Sequence, residues 1–161
     1  MKYFIADLHF SDQRIIDYEK RPFDDAGAMN ETVIRNWNEV VTESDEVYVA
    51  GDVGDESLIS QLKGIKFLIK GNHDTKSNEA YRRCGFKEVY DYPIIIEGFW
   101  IVSHEPLYVS ENMPYANIFG HVHNSPIYKD YSSHHYCVSV ERIRYTPVAF
   151  DTIKSAVLDI I

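Results

Sequence analysis

Long apolar runs, cysteine clusters and basic tracts are all absent from this sequence of 161 residues. No stretch is apolar for the roughly 20 residues that a membrane-spanning helix needs, so no membrane partner is expected. Lys2 is followed by Asp7 and His9 before the apolar core of a signal peptide could form. The two cysteines, Cys84 and Cys137, are isolated and lack metal-ligand spacing. They argue against a thiolate site and for a reducing compartment, the cytoplasm. Positive charge is also scarce, with 16 Lys and Arg against 25 Asp and Glu for a net charge of -9. Such a balance disfavours long duplex nucleic acid and anionic membranes. Anionic small molecules stay open, because bound cations reverse a local field. With no repeat, low-complexity segment or linker, residues 1–161 are read as one domain.

What the sequence does have is a series of short apolar segments that end in polar side chains. KFLIKGNHD, at Lys66–Asp74, is the clearest: an apolar strand stops at Gly71 and Asn72, His73 and Asp74 follow at once. An amide and an imidazole at the end of a buried strand are expensive to desolvate unless something holds them. YFIADLH, VYVAGD, IVSH and NIFGHVH repeat the arrangement.

Strands are predicted at Lys2–Ala6, Glu46–Ala50 and about Ile65–Ile69. A short helix falls within Ser11–Arg21, ended by Pro22. A long one, capped by Asp24 or Asp25, runs to about Val41, with Met29, Val33, Trp37 and Val40 at helical period. Asp55 is read as the cap of a helix carrying Leu58, Ile59 and Leu62, and a weaker helix covers Lys76–Cys84. That alternation favours a parallel sheet. After Gly85 the texture changes to short strands near Glu88–Tyr90, Ile94–Glu97, Phe99–Ser103, Ile118–Phe119, His135–Val140 and Val148–Phe150, in an antiparallel or mixed arrangement. Asp151–Leu158 is a closing helix.

Seven residues stand out as metal ligands: Asp7, His9, Asp52, Asn72, His104, His121 and His123. Residues two apart in an extended segment share a face, so Asp-x-His and His-x-His can each converge on one ion. Carboxylates, an amide oxygen and imidazoles without thiolate suit Mn²⁺, Fe, Zn²⁺ or Ni²⁺ better than a closed structural site. Seven ligands exceed what one tetrahedral ion needs, whereas two ions sharing a carboxylate would use them all. Asp12 and Asp55 are read as caps or loop residues, His134 and His135 as surface or supporting residues, and Met29 and Trp37 as core.

Asp7-Leu8-His9, Gly51-Asp52, Gly71-Asn72-His73-Asp74, His104 and Gly120-His121-Val122-His123 occur in the order of the calcineurin-like metallophosphoesterase signature, and the chain resembles that family over most of its length. Arg21–Phe23, Met29–Glu31 and Trp37-Asn38 are further similar to its small bacterial and phage members. There, Asp12 stands where a histidine is common, and Cys137 stands where an asparagine is more usual. The resemblance implies an α/β fold, a four-layer α/β/β/α sandwich of two mixed sheets flanked by helices. It also implies two divalent metal ions, Mn²⁺ first among them. Asp7, His9 and His123 would hold one ion, Asn72, His104 and His121 the other, with Asp52 bridging. His73 would face the substrate phosphate, with Asp74 orienting its ring. Arg21 and Arg14 are weaker candidates for substrate contact.

The expected activity is a phosphodiesterase on a small phosphorylated or nucleotide-like substrate, by in-line attack of a metal-bridging hydroxide. A short oligonucleotide or cyclic nucleotide fits the same site, and a homodimer is compatible with the resemblance. The alternatives are a phosphomonoesterase on that site and a non-catalytic protein-binding scaffold on that fold. A structural zinc module fits poorly, because the ligands are dispersed.

Overall fold

Lys2–Ile5 (β1), Glu46–Val49 (β2) and Ile65–Ile69 (β3) are the segments whose apolar runs require burial on both faces, and they form the centre of the first sheet in the computed structural model, which describes residues 1–128 and 132–158. Phe86–Tyr90 (β4) joins one edge and Val148–Ala149 (β9) the other, giving the order β4-β3-β2-β1-β9. The pairs from β1 to β4 are parallel, while β9 runs antiparallel to β1. The second sheet contains Ile94–Ile96 (β5), Trp100–Ser103 (β6), Ala116–Phe119 (β7) and His135–Cys137 (β8) in sequential order. In this sheet β6, β7 and β8 are parallel and β5 is antiparallel to β6. Helices Gln13–Glu19 (α1), Ala26–Val40 (α2), Asn78–Cys84 (α3) and Phe150–Leu158 (α4) complete a four-layer α/β/β/α sandwich.

Aromatic side chains fill the space between the sheets. Register places Phe4, Tyr48 and Phe67 side by side on β1, β2 and β3. Their rings stack at 5.4 and 4.8 Å. Phe150, the first residue of α4, lies 5.1 Å from Phe4 and 5.4 Å from Trp100 of the second sheet. It therefore joins the two layers, and each such pair contributes about 0.5–1.5 kcal/mol beyond area burial.

The helix starts follow from short polar side chains. Asp12, Asp25 and Ser77 accept hydrogen bonds from the first-turn amides of α1, α2 and α3, an arrangement that contributes about 0.5–2 kcal/mol per cap. Three details differ from the sequence reading. The segment that Asp55 caps, Glu56–Gln61, is a 3-10 helix of six residues in which Ile59 is buried and Leu58 partly so. Val40 is exposed, since α2 ends there and Val41 turns into the core instead. The strand expected to reach Val140 stops at Cys137, and a second 3-10 turn, Val140–Arg142, follows.

Truncating Phe150 to Ala removes the ring that touches both sheets. It is expected to cost about 3–5 kcal/mol, read as a lower urea midpoint at unchanged slope. A midpoint equal to the native one would contradict the bridging role of this ring in the core.

Candidate metal centre

The site is built where strands of both sheets end. Ala6, just beyond β1, donates its N–H to Val138 O (2.9 Å) and accepts from Val140 N (3.1 Å), which ties the first sheet to the segment after β8. Asp7 N donates to Gly51 O and His9 N to Asp52 O, both at 3.0 Å, so the loops after β1 and β2 run side by side. Asp7, His9, Asp52, His121 and His123 all have positive φ, between 48° and 71°. Side chains other than glycine rarely adopt this region, and such residues cluster at functional sites because the surroundings must impose it.

The close approach also dictates glycine. A Cβ on Gly120 would fall 2.5 Å from Ala6 Cβ and 2.9 Å from Asp7 Oδ2. A Cβ on Gly71 would collide with Asp52 Oδ1 and stand 2.8 Å from His104 Cε1.

Seven candidates converge in two groups. Ligand atoms of Asp7, His9 and His123 lie within 4.8 Å of one another, as do those of Asp52, His104 and His121. Asn72 Oδ1 joins the second group, 2.9 Å from His104 Nε2 and 3.2 Å from His121 Nδ1. His104 Nε2 and His121 Nδ1 are themselves 3.0 Å apart. Asp52 stands between the groups, its Oδ2 being 3.5 Å from His9 Nε2 and 3.4 Å from His104 Nε2.

The side chains are held from behind so that one atom of each stays available. Asp7 Oδ2 accepts from His121 N (2.8 Å) and Ser139 Oγ (2.5 Å). His104 Nδ1 donates to Ala50 O at 2.8 Å, which leaves Nε2 facing the cluster. Asp52 Oδ1 accepts from His73 N at 3.0 Å. By contrast Asp7 Oδ1 and His9 Nε2 are buried without a hydrogen-bond partner. Buried polar atoms of that kind are rare and call for a partner of another sort. A cation is such a partner, and carboxylate oxygen with imidazole nitrogen is a donor set suited to it.

Electrostatics agree. Burial pushes the Asp7 carboxyl up. Burial acts the same way on Asp52, yet the His104 and His9 imidazoles hold its carboxyl well below the usual range. Burial would lower His104, but the carboxylates of Asp52 and Asp7 outweigh it and push it up to about 9. The potential that draws a proton onto the His104 imidazole favours divalent cations in the same place.

His73 is exposed, its ring 5.5 Å from that of His9 and edge-on to it. Asp74 does not orient that ring. Its carboxylate accepts from the main-chain N–H groups of Gly71 (2.7 Å), Asp52 (2.7 Å) and Val53 (3.0 Å), which fastens the loop after β3 to the loop after β2. Arg21 is likewise unavailable to a substrate. Its side chain is fully buried and donates to Asp7 O (2.7 Å) and Leu8 O (3.0 Å). Arg14 is exposed and pairs with Asp12. His134, expected at the surface or in support, is buried with Nδ1 2.9 Å from Tyr115 O. Sequence reasoning missed Ser139 and Glu141. A lone serine inside the apolar run VSV was the signal for the first, whereas nothing local marked the second.

An uncharacterized protein of Methanocaldococcus jannaschii is 33% identical over 168 aligned positions, covering 94% of this chain and 88% of that protein. The Gene 66 protein of Mycobacterium phage L5 is 32% identical over 81 positions, 45% of this chain and 39% of its own length. Among solved structures, a protein of unknown function from Aquifex aeolicus superposes with TM-score 0.76 at 24% identity, covering 96% of this chain and 98% of that one. A nuclease from Pseudomonas putida does so with TM-score 0.50 at 19% identity, over 76% and 60%. At those identities the two structures bear on the fold alone. No family model matches. The chain therefore belongs to one family with the Methanocaldococcus jannaschii protein, and at its strand ends it carries two clusters able to hold divalent cations, in the motif order by which it resembles the calcineurin-like metallophosphoesterases. Its paired clusters are consistent with the site of a metal-dependent hydrolase.

The positive φ at Asp52 gives a test of imposed backbone strain. Both Asp52→Gly and Asp52→Ala delete the carboxylate, but only glycine is at ease at φ 57°. In metal-free protein the glycine variant is expected to be the more stable by about 1 kcal/mol, measured by urea denaturation. Equal stability would contradict the strain.

Proposed function

We propose that the chain is a dinuclear metal-dependent phosphodiesterase acting on a small phosphorylated or nucleotide-like substrate, a short oligonucleotide or cyclic nucleotide included. One observation carries the reading: Asp52 Oδ2 stands within 3.5 Å of ring nitrogens from both clusters, His9 Nε2 and His104 Nε2, while Asp7 Oδ1 is buried without a hydrogen-bond partner. Asp7, His9 and His123 would hold one ion and Asn72, His104 and His121 the other, with Asp52 shared. Mn²⁺ is our first choice, and Fe, Ni²⁺ and Zn²⁺ suit the same donors. Two such cations activate water at neutral pH and neutralise the charge of a phosphoryl group held against them.

The chain's own residues do the rest. His73, exposed beside His9, would donate a proton to the leaving oxygen or stabilise charge on phosphorus. Asp52 accepts the His73 N–H and so fixes that residue's main chain. A cavity of about 590 Å³ opens at the site, its lining including His9, His73, His121 and His123 together with Ile15 and Tyr18. Its volume falls in the roughly 300–1,000 Å³ range of small-ligand pockets. Tyr18, 83% exposed, offers a face on which a base or aryl group can stack. Two free cysteines fit a reducing cytoplasm. Among the described residues no helix is long and apolar enough to cross a membrane.

The test measures metal content alongside hydrolysis of bis-p-nitrophenyl phosphate and p-nitrophenyl phosphate, with Mn²⁺ added or withheld. The expected result is about two ions per chain, faster diester than monoester turnover, and loss of turnover in His73→Ala with both ions retained. In Asp52→Ala both metal and turnover should fall. Preference for the monoester would replace the diesterase by a monoesterase. A chain that stays inert with every one of the four metals would favour the scaffold.

A further inference from the structure

We infer that Glu141 is a positioning residue for His123, and that Arg21 locks Glu141 to the Asp7–Leu8 main chain, so that one buried ion pair registers the two loops of the Asp7–His9–His123 cluster. The inference rests on reading those three residues as ligands.

Glu141 Oε1 accepts from His123 Nδ1 at 2.8 Å, which leaves Nε2 as the ring nitrogen free to face the cluster. The same carboxylate receives Arg21 Nε at 2.9 Å and a second guanidinium nitrogen at 2.8 Å. That guanidinium also donates to Asp7 O and Leu8 O, at 2.7 and 3.0 Å. The side chains of Arg21 and Glu141 are 0% and 5% exposed, so the pair is out of water. Arg142, the next residue, donates Nε to His123 O at 2.7 Å and a second nitrogen to Ser125 O at 3.1 Å. Two consecutive residues of one 3-10 turn thus hold His123 by its ring and by its carbonyl.

A competing role for Glu141 is that of a ligand, since Glu19, His123 and Glu141 also offer atoms within 4.8 Å of one another. The His123 and Arg21 contacts all fall on Oε1, and Oε2 is buried without a hydrogen-bond partner. Even so, the permanent positive charge of Arg21 at 2.8 Å repels a second cation at this carboxylate, which argues against the ligand role. A carboxylate that takes the far proton of a metal-bound imidazole fixes its tautomer and raises its basicity, and losing such a partner costs roughly 10–100-fold in metal affinity. Arg21 then prevents Glu141 from swinging toward the ion.

The experiment has two arms. In the Zn²⁺-loaded native chain, long-range ¹H–¹⁵N correlation should show His123 with its proton on Nδ1 and metal on Nε2. Metal on Nδ1 would overturn the inference. In calorimetric titration of Mn²⁺ into metal-free protein, Glu141→Gln should weaken one of two sites by roughly 10–100-fold and leave the other at its native affinity. Two native affinities in that variant would likewise overturn it. If the variant does not fold, the His123 tautomer in the native chain decides. A native chain that binds neither Zn²⁺ nor Mn²⁺ would instead remove the ligand reading beneath the inference.

Discussion

The main-chain link between Ala6 and the Val138–Val140 segment is the interaction on which the rest of the site depends. It joins the two sheets main chain to main chain, and it does so one residue before Asp7. Ser139 is thereby brought within 2.5 Å of the Asp7 carboxylate. Gly120 fits against Ala6, so the β7 loop that carries His121 and His123 reaches the β1 loop. Each cluster takes ligands from both sheets, so without that contact each would be split between two layers.

Bringing so many polar groups to strand ends works against stability. Asp7, Asp52 and His104 are nearly or wholly buried, and five candidate ligands occupy a backbone region that costs L-residues energy. The compensation is visible around them. Asp74 satisfies three main-chain N–H groups, Arg21 satisfies two main-chain carbonyls and Glu141, and the aromatic stack between the sheets supplies apolar burial elsewhere. These groups hold the loops and leave Asp7 Oδ1 and His9 Nε2 buried without a hydrogen bond, an arrangement that a bound cation would complete.

Much of this was legible in the sequence. An apolar run stopped by Gly-Asp or Gly-Asn-His carries polar groups to the edge of the core, where they are costly unless they serve a site. The order of five such runs pointed to both the fold and the ligand set. The sequence left the cap of α2 between Asp24 and Asp25 and read Asp12 as a cap or loop residue, and the caps are Asp25 and Asp12. What stayed hidden was the role of charged residues whose partners lie far away along the chain. Arg21 reads the same whether it faces a cleft or a core, and its partner Glu141 is 120 positions distant. Asp74 next to His73 invites a pairing between neighbours, whereas its carboxylate turns to the loop after β2. Segment length misled too: six residues between Asp55 and Leu62 carry helical signals but close into a 3-10 turn. Burial and long-range hydrogen bonding decide these cases, and neither has a local sequence signature.

The proposed centre would hold one cation in each cluster with Asp52 shared. Anomalous diffraction from crystals grown with Mn²⁺ tests it most directly. Two anomalous peaks are expected about 3.5–4 Å apart, one beside Asp7, His9 and His123, the other beside Asn72, His104 and His121, with the Asp52 carboxylate touching both. A single peak, or two peaks with Asp52 turned away from one of them, would contradict the claim.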